Sequence, residues 1–239
     1  MNDRDPGGKR PLDSAYAYGI LVDVFWKRLD TCGLEHCRLI ADEGGYRLEG
    51  IVLVAQAAEA PSKVDYVVRC DPTWVTREVQ VTTIRPTGRA HLELRRDESG
   101  AWWRDGERLA GMDGLFDIDL SLKPSTNTLP IRRLGLAEGG IGPDRCRLGA
   151  LPGALIERLP QRYARTGPRA YRYESRGGAF TADLTVDDHG LVVRYAHIWE
   201  RIGHWRSDAH GIAVGSTGRR PPSRGWRRPS VWLALRTGV

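Results

Sequence analysis

The sequence predicts a mainly β protein, an antiparallel assembly of the roll or barrel kind with at most one or two short helices. Three observations predict it. Apolar residues recur at every second position in run after run, as they do where one face of a strand is buried. Turn-forming residues separate the runs at short intervals, as hairpins require. The only stretches with room for a helix, 124–136 and 151–159, both contain proline, which limits helix length.

Residues 1–24 are rich in Gly, Pro and charge, then weakly apolar, and read as an N-terminal extension. An extended pattern begins near Glu35. In Tyr46–Gln56, Leu48, Val52 and Val54 are spaced for a strand, with Gly50 marking a bulge or bend. Val64, Tyr66, Val68 and Cys70 share one face of the next run, opposite Asp65 and Arg69. Val75, Arg77, Val79 and Val81 then alternate with Thr76, Glu78, Gln80 and Thr82, and Leu92 and Leu94 alternate with His91, Glu93 and Arg95. Asp97–Gly100 and Asp105-Gly106 are turns. In the second half, Tyr171 and Tyr173, Leu184 and Val186, and Leu191–Trp199 continue the habit, with Asp187–Gly190 as a turn. The count is roughly ten strands at the spacing of barrels and rolls. A sheet of that size must curl or close to cover its apolar face and edges. Val52, Val54, Tyr66, Val68, Val79, Leu92, Leu94, Leu120, Leu184 and Val193 are the expected inward positions.

The chain has 239 residues and a formal charge of +6, but residues 203–239 alone carry seven Arg against one Asp. The body is therefore neutral, and a phosphate-tracking surface is not expected of it. The tail, with six Gly and three Pro, breaks every periodic pattern and is expected to have no fold of its own. Four cysteines in a chain this long are no disulfide framework. No signal-peptide pattern precedes the first apolar run, and no run approaches the ~20 residues that span a bilayer. These features predict a cytoplasmic protein with no stable membrane insertion.

Three passages carry a resemblance: Val67–Arg77 (VVRCDPTWVTR), Phe116–Leu136 (FDIDLSLKPSTNTLPIRRLGL), and Gln161-Arg162-Tyr163 followed by YRYES, FTADLTVDDHGLVVRY and HIWERI. Together, in this order, they resemble the bacterial "Putative glycolipid-binding" family over about Trp26–Ile202. The resemblance implies a spiral β-roll or incomplete barrel, similar in shape to lipoprotein carriers, with an internal apolar cavity for a lipid-like ligand. It divides the chain into an extension (1–24), a β-roll domain (25–202) and a basic tail (203–239).

The candidate site residues lie in the first two passages. Trp74 and Arg77 flank a strand–turn–strand corner; Trp74 would stand at the cavity rim, and the Arg77 guanidinium suits a phosphate or carboxylate head group. Equally, Trp74 is a buried anchor and Arg77 pairs with Asp71 or Glu78. Asp117 and Asp119, two apart, point to one face of a strand. They can serve as a cation site or acid–base pair, or be neutralised by Arg132 and Arg133. Asn127 and Thr128 sit in a polar run that can bind sugar hydroxyls while Arg132 and Arg133 hold an anionic head group, or that can brace its own loop. Cys32, His36 and Cys37 lack the paired spacing of a zinc site. Trp102-Trp103 is an aromatic pair at a hairpin. There is no nucleophile elbow, HExxH, P-loop or dinucleotide fingerprint.

The sequence thus points to non-enzymatic binding of a lipid or glycolipid-like amphiphile in a β-roll, with no cofactor and no metal. The alternatives are a hydrolase using Asp117 and Asp119, and nucleic-acid association through the tail; nucleic acid is not expected of the body.

Overall fold

A computed structural model describes residues 19–55, 60–121, 123–142, 145–149 (backbone only) and 156–206. Residues 1–18, most of the expected helix stretch at 151–159, and the tail from 207 onward lie outside the described residues.

The first half of the chain forms β1 (Gly19–Arg28), β2 (Cys32–Asp42), β3 (Gly45–Ala55), β4 (Ser62–Cys70), β5 (Thr76–Arg85), β6 (Gly88–Arg96), β7 (Trp102–Arg104) and β8 (Glu107–Arg108). After β9 (Ile118–Asp119) comes a short helical segment, a 3₁₀ turn Ser125–Asn127 running into α1 (Thr128–Leu134). The second half adds β10 (Arg145–Gly149), β11 (Glu157–Gly167), β12 (Ala170–Ser175), β13 (Phe180–Val186), β14 (Val192–Tyr195) and β15 (Trp199–Arg206).

All fifteen strands belong to one sheet in the order β8-β7-β6-β5-β4-β3-β2-β1-β15-β14-β13-β12-β11-β10-β9. Each half is thus a meander, and the halves join where β1 pairs with β15, Val22 opposite Arg206 and Arg28 opposite Trp199. Neighbours are antiparallel except β9 and β10, which run parallel. The sheet does not close: β8 and β9 end it. This is the mainly β, open antiparallel architecture the sequence predicts, with one short helical segment of ten residues.

The strand count exceeds the predicted ten because β7, β8 and β9 are two or three residues long, too short to show alternation. The sheet also takes in Gly19–Val24, placed by the sequence in an extension, and runs to Arg206, past Ile202. In β1, Val22, Val24 and Trp26 face inward with no exposure, but the alternation is disguised by an outward Phe25, which stacks on His36 at 4.5 Å.

Gly50 is not a bulge. Register is regular across it on both sides, with Cys37 and Tyr66 as its partners. Its missing side chain leaves room for the Tyr66 ring instead, since a Cβ there would lie 2.6 Å from the Tyr66 hydroxyl. Of the expected inward residues, Val193 is 38% exposed and its neighbour Val192 is buried instead. A register shift between Thr185 and Val186 changes the phase of β14. The other nine lie in the core or, for Val54, against it.

That core is a single cluster drawing Trp26 of β1, Tyr66 of β4, Trp102 of β7, Tyr163 of β11, Leu184 of β13 and Leu129 of α1 together. Strands far apart in the sheet order can share one core only if the sheet curls round it.

Candidate functional site

The helical segment lies inside the curl. Every residue from Lys123 to Ile131 is buried. Local sequence explains the helix: Pro130 falls in its first turn, where its missing N–H has no acceptor to lose. Gly135, left-handed at φ 52°, ends it by donating its N–H to the Ile131 carbonyl at 3.3 Å. Arg132 and Arg133 in the last turn suit the negative end of the helix dipole.

Two tyrosines from opposite halves of the sheet fix this segment. The Tyr66 hydroxyl lies 2.9 Å from Ser125 Oγ and donates to Glu35 Oε1 at 2.6 Å. The Tyr163 hydroxyl donates to Asn127 Oδ1 at 2.6 Å, while Asn127 Nδ2 faces the carbonyls of Lys123 and Pro124 at 3.5 and 3.3 Å. Burial pushes the Glu35 carboxyl above its usual range, partly opposed by Ser125 and Tyr66. Lys123 Nζ sits 5.2 Å from the Tyr66 ring centroid, a cation–π position. Burial lowers its pKa to about 8, against the pull of Glu35 and Asp119.

Between this segment and the second half of the sheet opens a pocket of about 360 Å³. Its polar lining is Asp119, Lys123, Asn127 and Gln161, with Arg28, Asp30 and Arg176 beside them; its aromatic lining is Tyr173, Phe180, Tyr195 and Trp199. Tyr173 organises the aromatic wall, 5.1 Å from Tyr163 and in edge contact with Phe180 and Tyr195, each at 6.0 Å. Asp119 accepts from Gln161 Nε2 at 2.5 Å and from the Ser121 N–H at 2.7 Å. Arg28 crosses to the Trp199 ring at 5.7 Å and also borders a larger, mainly apolar groove of about 680 Å³ whose walls include Leu34, Leu53, Val54 and Pro61.

Of the residues singled out in the sequence, the structure brings Asp119 and Asn127 into this pocket. Thr128 is buried in the same segment, its hydroxyl without a hydrogen-bond partner among the described residues. Asp117 and Arg133 form a two-pronged pair, Nε to Oδ1 at 2.9 Å and Nη2 to Oδ2 at 2.7 Å. Arg132 lies over the Trp74 ring at 5.2 Å and borders a different depression with Arg165 and Arg169. Trp74 is buried, stacked on Tyr46 at 4.0 Å, and held at φ 67° in its turn. Arg77 donates twice to Asp71 Oδ2, at 3.0 and 2.7 Å. Trp102 is buried, its indole N–H on the Leu115 carbonyl at 3.0 Å, and Trp103 donates to Asp97 at 2.8 Å. Among the described residues, no group of three or more His, Cys, Asp or Glu could hold a metal ion. No helix among them is long and apolar enough to cross a membrane.

Glu35, Lys123, Gln161 and Tyr173 are absent from the sequence-derived set. Lys123 had one signal: it is the lone charge between Asp119 and Arg132, in a passage otherwise of short polar and apolar residues.

The family described as "Putative glycolipid-binding" matches residues 23–201, three quarters of the chain and all of the sheet except the start of β1 and the end of β15. The chain belongs to this family. A crystal structure of a DUF1089 family protein from Pseudomonas aeruginosa is similar to this glycolipid-binding family member, with 36% sequence identity and a TM-score of 0.64. The likeness covers 71% of this chain and 92% of that one. No curated protein matches it.

Proposed function

We propose that this protein binds a lipid- or glycolipid-like amphiphile without transforming it, the polar head in the pocket at Asp119, Lys123 and Gln161 and the chain towards the apolar groove beyond Arg28. The observation that carries this reading is an aromatic wall facing a polar floor in one concavity. Flat rings stack on the C–H faces of a sugar, while carboxylate, amide and ammonium groups bond to its oxygens. A volume of about 360 Å³ is at the small end of ligand pockets, ~300–1,000 Å³, and suits a head group better than a whole lipid. The groove on the far side of Arg28 is where an acyl chain would lie, each buried CH₂ contributing ~0.8 kcal/mol.

Geometry supports the hydrolase alternative less well. Both oxygens of Asp117 are engaged by Arg133, and a general acid or base needs an oxygen free for the proton it moves.

The test is native mass spectrometry of protein purified from its own host, followed by solvent extraction. A stoichiometric amphiphile is expected, released by Phe180→Ala at the pocket mouth. Protein that is ligand-free and takes up no alkyl glycoside would overturn the reading.

A further inference from the structure

Lys123 and Arg28 border the same pocket, and each keeps a buried donor without an acceptor among the described residues: Nζ of Lys123 and Nη1 of Arg28. Arg28 spends its other donors on Asp30, Nε to Oδ1 at 2.7 Å and Nη2 to Oδ2 at 3.0 Å. Asp119, the other carboxylate of the pocket, accepts from Gln161 and from the Ser121 N–H. The acids lining the pocket thus already hold partners within it, Arg28 for Asp30 and Gln161 and Ser121 for Asp119, and the cations beside them are Arg28, Lys123 and Arg176. Outside it, Glu35 from β2 and the Tyr66 ring from β4 also face Lys123; the Glu35 Oε1 atom accepts from Tyr66. A buried ammonium and a buried guanidinium N–H that both lack an oxygen are costly unless a ligand supplies one.

Resting on the reading that this pocket takes an amphiphile's head, we propose that the head is anionic, its carboxylate or phosphate oxygens bound by Lys123 and Arg28. A neutral sugar offers the two buried donors only hydroxyl oxygens; an acidic one satisfies both with charge-assisted hydrogen bonds.

The experiment compares three probes with the same chain, octyl glucoside, octyl glucuronide and octyl glucoside 6-phosphate, titrated calorimetrically into the full chain. At neutral pH at least one acidic probe is expected to bind about tenfold more tightly than the neutral one. Which acid wins distinguishes carboxylate from phosphate. In Lys123→Met both kinds of probe are expected to weaken, but the acidic ones about tenfold more than octyl glucoside, so that the preference collapses. Should that variant not fold, the wild type serves alone: the preference falls at pH 9.5, above the lysine's pKa of about 8. Binding of the neutral probe as tight as that of both acids overturns the proposal but leaves the head-group reading standing, as does a preference untouched by both the variant and high pH. Binding of none of the three overturns both.

Discussion

Tyr66 lies across Gly50. The two face each other on β4 and β3, and the phenol occupies the space a side chain at position 50 would fill on its way to Glu35 of β2. One hydroxyl thereby ties three strands to Ser125 in the interior. The absence of a single methyl group on β3 is the condition for that link.

Gly50→Ala should therefore destabilise the fold although it raises strand propensity. Its Cβ would lie 2.4 Å from the His36 carbonyl oxygen and 2.6 Å from the Tyr66 hydroxyl. Overpacking of this kind costs about 1–3 kcal/mol. Urea denaturation followed by circular dichroism measures it; an unchanged midpoint would show that the Tyr66 ring can move aside freely.

Asp117→Ala should cost more, about 3–5 kcal/mol, because it strands a guanidinium. The Arg133 side chain is 13% exposed and that of Asp117 3%, so water cannot readily replace the lost partner. Replacing both by apolar residues, as Asp117→Leu with Arg133→Met, should recover part of the loss. A double variant less stable than the sum of the singles would refute this account.

Arg77→Ala should leave ligand affinity unchanged and alter stability by less than about 1 kcal/mol, the scale of a partly exposed ion pair. Arg77 meets Asp71, whose carboxylate also takes the Thr73 hydroxyl and the N–H groups of Thr73 and Val75. These bonds outweigh burial and hold the Asp71 pKa below its usual range. Calorimetric titration with an octyl glycoside checks it; loss of binding would return Arg77 to the site.

How far the sequence reaches is visible in these residues. The strands of the first half are legible because alternation is a local property, and so is the Asp71-Pro72 turn, whose carboxylate bonds to N–H groups two and four residues on. Ser125–Thr128 is a different matter. Short hydroxyl and amide side chains look like a solvent-facing loop, and only the remote partners Tyr66 for Ser125 and Tyr163 for Asn127 make the burial of those two tolerable. The isolation of Lys123 among short uncharged residues is visible, but its burial is not, since a lysine's ordinary place is the surface. Asp119 and Asn127 are the pocket residues that the sequence singles out; Tyr173 of the aromatic wall alternates like any other inward residue, and nothing local marks it as lining a cavity.

Lys123 also makes a prediction about the unliganded protein. Its pKa falls from 10.5 to about 8 on folding, because burial disfavours the ammonium. Between those values the unfolded chain binds the proton and the folded chain does not, so this residue's contribution to stability rises with pH across that window. Below about pH 8 the folded protein carries the full cost of a buried ammonium; above 10.5 the lysine is neutral in both states and the cost is gone. The buried Tyr66, Cys37 and Cys70, whose pKa values burial raises, act in the opposite sense at high pH, so the comparison must be made against Lys123→Met, which shares them. That variant should be the more stable protein at pH 7, by up to about 3 kcal/mol, and the gap should close as the pH approaches 10.5. Paired denaturation curves from pH 6 to 10 measure it. A gap constant across that range would mean that Lys123 keeps an ordinary pKa in the folded state and finds water that the packing around it does not suggest.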